Sequence, residues 1–446
     1  HTATKPSWGA AINSANQPSV SHQGKDYFQS TEYEGNGQNQ RVGDFVPYTD
    51  SYTVSKSAIF DEASRHYLAR TFSASDAART STTDATISFW IKFCPNAADQ
   101  EILSSSDAGE STRFRLFIND QASEEAITLL MDPSGGGNNR IFTISHGLLS
   151  EQEWVNFVFN IDVDNSTAAN KVRAYVNGVE KSSSDTTYQS ASDGEFHLFD
   201  NQLHNIGNFA VNNTKELNSY LAELHVIDGS LKGPESFGQV DTSTNRWTAK
   251  DYKTDDGTYG GRGFYMAFES TFASGNGAGT DSSGNGFHFT ESTHNDAWAT
   301  TDQSNDTPSN NLPIWLGKDQ MGSAAPPLSE GNLKVTGADN GGRVLSFPFT
   351  RGKWYWEIDV IDAGQYVGFA TPAGIAFSSS TPWNNNAGSF LVAPDAGHFL
   401  GTNGSGTANL TSNYTAYIGN GDRMAVAFDA DNKFAYFGEV GSGGRE

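Results

Sequence analysis

Only a few short clusters in this chain carry residues able to do chemistry. Glu357-Ile358-Asp359-Val360-Ile361-Asp362 sets three carboxylates along one stretch. Retaining glycoside hydrolysis needs two carboxyl groups about 5–5.5 Å apart, one as nucleophile and one as acid/base. Here a strand period places Glu357 and Asp359 on the face away from Trp354 and Trp356, and Asp362 is one methylene shorter than a glutamate. A solvated strand face is therefore expected, and no catalytic residue is assigned. Asp162, Asp164 and Asn165 at a strand end, and Asp281, Ser283 and Asn285 in a glycine-rich loop, offer the hard oxygens that calcium takes from flexible loops. Asp and Asn at such spacing also satisfy their own backbone in ordinary turns. Calcium is the one cofactor these residues suggest. Trp383-Asn384-Asn385-Asn386 joins an aromatic platform to planar amides, the combination that binds carbohydrate, with Trp298 and Trp315 further away. The ten histidines show no zinc spacing, and neither a Gly-x-Ser-x-Gly elbow nor a phosphate loop is present.

Composition narrows the classes. The 446 residues include 28 Lys plus Arg against 52 Asp plus Glu, a formal charge of −24, so no basic stripe offers itself to nucleic acid. One cysteine, Cys94, excludes a disulfide framework and a cysteine-rich zinc site. No apolar run reaches the roughly 18 residues that a membrane helix needs. Charged residues make up 18 %, aromatics 12 %, and glycine accounts for 46 positions, the profile of a rigid all-β protein of extracellular type. The start at His1, without Met or apolar leader, is that of a processed chain or a fragment.

The elements that must position these clusters are strands. Val155, Phe157, Phe159, Ile161 and Val163 alternate with Asn156, Asn160 and Asp162, which predicts one buried and one wet face. Ile87, Phe89, Ile91 and Phe93 repeat the pattern, as do Phe114, Leu116 and Ile118. Asn177-Gly178 between Val176 and Val179 is a strong hairpin signal, because both residues tolerate positive φ. Period two returns at Lys353 to Ile361 and at Met424 to Phe428, with Asp431-Asn432 marking a turn before Phe434. The fold class is all-β: two antiparallel β-sandwich (jelly-roll) domains joined by a long Gly-rich connector, with an extended N-terminal arm. The expected divisions are an arm at 1–55, a first sandwich at 56–240, a connector at 241–325 and a second sandwich at 326–446, incomplete at its C-terminal end. The arm is polar and without period, so it cannot bury enough surface to fold alone.

Residues 57–240 resemble a concanavalin A-like, laminin-G-type jelly roll as found in structural proteins of marine tailed bacteriophages. The resemblance rests on His66-Tyr67-Leu68-Ala69-Arg70, Ile87-Ser88-Phe89-Trp90-Ile91-Lys92, Trp154, Lys171 through Val179, His204-Asn205-Ile206-Gly207 and Tyr220 through Gly229. Gly263-Phe264-Tyr265, Asp281 through Gly286 and Asp306-Thr307-Pro308 in the connector fit the same family. Residues 328–446 look like a SPRY-type sandwich through Gly331-Asn332-Leu333-Lys334-Val335-Thr336, Gly352-Lys353-Trp354-Tyr355-Trp356-Glu357 and Gly368-Phe369-Ala370.

The resemblance implies a structural protein of a phage virion, at the virion surface: a fibre, tail adhesin or head decoration. Its expected partners are other virion proteins through the N-terminal arm, copies of itself in a homo-oligomer with a trimer favoured, and a host-surface glycan. Nucleic acid and membrane insertion are not expected. Two other readings stand beside it, a laminarinase-type polysaccharide hydrolase built on the Glu357–Asp362 stretch and a capsid decoration without a ligand. The arm generates a test: deleting residues 1–50 should leave both sandwiches folded by circular dichroism and abolish assembly or virion attachment, and normal incorporation of the truncated protein would make the arm a mere leader.

Overall fold

In the computed structural model, the described residues are 52–370 and 418–440, short breaks apart, with the backbone of strands at 19–22, 25–29, 389–393, 398–402 and 407–411. Two large antiparallel sheets face each other. The first runs in the order Val179–Lys181, Val172–Val176, Val155–Asp162, Asp84–Phe93, Ser219–Asp228, Ser57–Phe60, Gln303–Ser304, and Phe264–Met266 also pairs with Ser219–Asp228. The second runs Thr290–Ser292, Tyr67–Thr71, Leu203–Ile206, Gln100–Ser106, Arg113–Gln121, Glu124–Asp132, Arg140–Ile144. Strands adjacent in space but distant in sequence are the mark of a jelly roll.

The core between the sheets is made by the alternating residues. Val155, Phe157, Phe159, Ile161 and Val163 all lie in it, with Ile87, Phe89, Ile91 and Phe93 from the next strand. The register pairs Phe157 with Phe89, and their rings stack at 5.6 Å. Asn177 and Gly178 turn the hairpin at φ of 46° and 78°. Glycine at 178 answers a second demand, since a Cβ there would meet the Trp247 ring at 2.5 Å.

Two expectations change. The face carrying Asn156 is not wet. Val158, Tyr175, Ile227, Phe237, Tyr252, Tyr259 and Tyr265 bury one part of it, and Val54, Trp90, Trp154, Tyr220, Ala249 and Ile314 bury another. Asn156 is fully enclosed because its amide finds partners: Nδ2 donates to the Phe89 carbonyl at 3.1 Å and Oδ1 accepts from Trp247 Nε1 at 3.1 Å. A buried polar group so satisfied costs little. The second change concerns the glycine-rich stretch expected as a connector. It is the cover of that face, and its strands Phe264–Met266, Thr290–Ser292 and Gln303–Ser304 join the two sheets. Arg262 bolts it down, donating to the carbonyls of Ala77 at 2.7 Å, Phe199 at 2.7 Å and Ser73 at 3.0 Å.

The C-terminal part is a set of smaller antiparallel sheets. Lys353–Asp359, Arg423–Asp429 and Phe434–Val440 form one, and Val367–Ala370, Ser389–Ala393, His398–Thr402 and Thr407–Thr411 another. Val360, Ile418, Met424 and Val426 are its buried centre, packed by Trp356, Phe369 and Phe437. Ser19–His22 and Lys25–Gln29 pair with each other in the N-terminal region. Among the described residues the only α-helix is the single turn Tyr252–Asp255. Phe157→Ala should cost about 3–5 kcal/mol of folding free energy in a denaturant titration; a loss below about 1 kcal/mol would mean that Phe157 does not fill the inter-sheet core.

Candidate functional site

The tryptophan–asparagine cluster Trp383, Asn384, Asn385 and Asn386 lies outside the described residues. The two acidic sets form separate turns. Asn165 donates its backbone N–H to the Asp162 carbonyl at 3.0 Å and its Nδ2 to the Asp162 carboxylate at 2.7 Å, while Asp164 points to solvent. Asp281 is buried, and its carboxylate accepts the backbone N–H groups of Tyr265 at 3.0 Å, Ser283 at 2.8 Å and Phe287 at 2.8 Å. Asn285 spends its Nδ2 on the carbonyls of Gly260 at 2.9 Å and Gly263 at 2.8 Å. Among the described residues no three His, Cys, Asp or Glu side chains converge as a metal site. In this geometry Asp281 staples the glycine-rich loop by itself.

The enzyme-like stretch is also fixed by local chemistry. Glu357 and Asp359 stand on the exposed face of their strand, and Arg423 of the neighbouring strand bonds both, at 3.3 Å and 2.6 Å. Tyr355 donates its hydroxyl to Glu357 at 2.8 Å. The same face shows Tyr355 and Tyr436 either side of Ala427, with the tyrosines 59 % and 45 % exposed. Trp298 is core, stacked on His66 at 4.5 Å and edge-on to Phe60 at 5.3 Å, so it offers no platform.

Sequence reasoning missed two constellations. One is sealed. Glu223 sits at a bulge in Ser219–Asp228 with a φ of 51°, and its carboxylate accepts the hydroxyls of Tyr265 at 2.7 Å and Tyr52 at 3.1 Å. His225 Nε2 lies 3.5 Å from it and Nδ1 meets the Tyr259 hydroxyl at 3.0 Å. Burial, reinforced by the Glu223 charge, pushes the Tyr52 and Tyr265 hydroxyls up, so both remain donors at any physiological pH. The available signal was a Glu and a His two apart inside an otherwise apolar strand. The group ties the cover to the sheet.

The other constellation is open. A cleft of about 400 Å³ is lined by Arg70, Thr71, Ser73, Asp76, Leu203, His288 and Thr290, at the edge where Tyr67–Thr71 meets Thr290–Ser292. Arg70 is held flat over the rings of Phe72 and Phe287 at 5.1 Å and 4.8 Å, and it bonds Asp76 and the His288 carbonyl, each at 3.0 Å. Its Nε–H is buried and meets no acceptor among the described residues. His288 Nδ1 accepts the Asp281 N–H at 3.0 Å, which leaves Nε2 to carry the proton of the neutral ring. The cleft thus offers fixed donors, hydroxyls and one carboxylate, a set suited to a polyhydroxylated ligand. No sequence spacing links Arg70 to His288, which is 218 residues away.

Residues 69–235 match the family described as the concanavalin A-like lectin/glucanases superfamily. That span is a jelly-roll domain of laminin-G type, and the structure adds to it the strands at 57–60, 264–266, 290–292 and 303–304. Similar solved structures include the Ruminococcus gnavus IT-sialidase CBM40, 11 % identical over 41 % of this chain and 96 % of that one with a TM-score of 0.27. Mouse laminin alpha1 domains LG4-5 are 11 % identical over 90 % of this chain and 82 % of that one, with a TM-score of 0.30. No curated protein matches the chain. From the self-contained Asp281 loop, chelation with EDTA should leave the melting temperature unchanged, whereas Asp281→Ala should cost about 3 kcal/mol by orphaning three buried N–H groups; a melting temperature that falls on chelation would make the loop a metal site.

Proposed function

We propose that this chain is a non-catalytic recognition protein of a phage virion, and that its jelly roll binds a surface glycan in the Arg70–His288 cleft. The observation that carries the glycan reading is a preformed polar cleft on a domain that matches a lectin and glucanase superfamily. Arg70 is pre-positioned by two phenyl rings and a carboxylate, so little side-chain freedom is lost when a ligand arrives. The virion assignment is supported by the resemblance of residues 57–446 to phage structural proteins and by the acidic, glycine- and aromatic-rich composition. In this reading the second half is a SPRY-like sandwich, the N-terminal arm engages other virion proteins, and a homo-oligomer multiplies weak single-site affinity by avidity. The absence of catalysis is supported by Arg423, which engages both Glu357 and Asp359 on an exposed face where neither is enclosed against an apolar wall as a general acid is.

A glycan panel with the full chain tests this. Thr290→Trp, which fills the cleft from an exposed edge, and Arg70→Met, which keeps the packing but removes the donors, should each lower binding at least tenfold. Unchanged binding in both would refute the cleft, and loss confined to Trp383→Ala would move the site to the second half. Reducing ends released from a polysaccharide, and lost in Glu357→Gln, would replace the proposal by the hydrolase reading.

A further inference from the structure

Lys92 is the most deeply buried lysine in the described structure, with its side chain 0 % exposed. It lies near the end of the central strand Asp84–Phe93, pointing into the covered outer face beside Trp90 and opposite Tyr220 of the neighbouring strand. Its Nζ meets three groups from one segment of the cover: Asp306 Oδ2 at 2.7 Å, Asn311 Oδ1 at 2.8 Å and the Leu312 carbonyl. Asp306 is itself held, its Oδ1 accepting Trp154 Nε1 at 2.8 Å and the Leu312 N–H at 3.2 Å. Asn311 is oriented by its Nδ2, which donates to the Gln152 carbonyl at 2.7 Å. Asp306 and Asn311 are both buried, and Trp90, Trp154 and Tyr220 wall the site.

We infer that Lys92 and Asn311 join in an intramolecular isopeptide bond, with Asp306 as the proton carrier. The arrangement supplies every part of that reaction. A carbonyl bond is about 1.2 Å long, so Asn311 Cγ lies no more than about 4 Å from the amine, close to a near-attack distance. A carboxylate in direct hydrogen bond with the amine can take its proton and return it. Water, the competing nucleophile, is excluded.

The step balances without any further reactant. Asp306 Oδ2 takes a proton from the Lys92 ammonium, and the freed lone pair attacks Asn311 Cγ while the carbonyl π pair moves to Oδ1. Collapse of the tetrahedral centre re-forms the carbonyl and breaks the Cγ–Nδ2 bond. Of the three ammonium protons, one stays on the new amide nitrogen and two leave with Nδ2 as ammonium, one of them through Asp306, which ends as the carboxylate it began as. Asn311 is the acceptor in preference to Asp306 because an amide carbon is the better electrophile than that of a carboxylate, and Asp306 Oδ1 is already held by Trp154 and the Leu312 N–H while Oδ2 faces the amine as its base.

The bond would weld the central strand to the segment that leads out of the jelly roll, so that tension on the C-terminal half could not peel the cover away. Intact-mass measurement of the purified full chain under denaturing conditions decides the matter, and needs no variant. A mass about 17 Da below that of the sequence, one ammonia, is expected, with a branched peptide joining Lys92 to Asn311 after proteolysis. Asn311→Ala and Lys92→Met should each return the full sequence mass, and Asp306→Asn should leave both reactants unjoined. The unmodified mass in the wild-type chain would overturn the proposal. A loss of about 18 Da with Lys92 linked to Asp306 would overturn the assignment of the acceptor and of the proton carrier together.

Discussion

The two central strands of the larger sheet have no solvent side, and that constraint governs the rest. Every residue of Ser219–Asp228 is buried, and so are nine of the ten in Asp84–Phe93. One row of side chains faces the opposing sheet and the other needs a second layer. Helices usually provide such a layer over a sheet. Here a glycine-rich chain does so, with aromatic side chains as filling and side-chain hydrogen bonds in place of regular structure. Glycine is needed because this segment runs against other backbone: a Cβ at Gly260 would come within 1.9 Å of the Asp228 carbonyl oxygen, and Gly260 adopts a φ of 72°. A polar, poorly periodic sequence is therefore compatible with a buried, well-determined position.

This explains what could be read from the sequence. The inter-sheet core was legible because Phe157 and its partners alternate strictly, and period two has one structural meaning when one row is wholly apolar. The Asn177-Gly178 hairpin was legible because few residue pairs tolerate its backbone angles. The outer face was misread because Thr86, Ser88 and Asn156 look like solvent residues. Small polar side chains can equally be buried when a neighbour completes their hydrogen bonds, as the Ser230 carbonyl and Asn160 do for Thr86. The partners that make them so come from far along the chain and leave no local pattern. Arg70 with His288 and Lys92 with Asn311 are hidden for the same reason: in each pair the two halves are brought together only by the topology.

Rigidity and recognition are divided between regions. The buried groups around Glu223, Asp281 and Arg262 are bonded to the cover on all sides and serve to fix it. What faces outward is a cleft of donors at one sheet edge and, in the second half, a sheet face with two tyrosines across an alanine. The tyrosine pair stands on strands, and the cleft combines strand residues Arg70, Thr71, Leu203 and Thr290 with Ser73, Asp76 and His288 of the flanking loops, so a ligand would meet donors anchored at a sheet edge.

The late position of the cover in the chain has a consequence for biosynthesis. Ser57 Oγ bonds the Asp306 carbonyl across 249 residues of sequence, and Lys92 meets Asp306 across 214. During translation at about 5–20 residues per second, the first strands leave the ribosome roughly 10–50 s before their covering layer exists. During that interval the outer face of the nascent sheet stays uncovered, first with Trp90 and Val158 and later with Tyr220 and Ile227 as they are added. Contacts of such sequence separation also make closure slow once the chain is complete. The molecule thus carries its greatest exposure to aggregation before it is finished, and its yield in a cell should depend more on chaperone capacity and elongation rate than on the stability of the final fold.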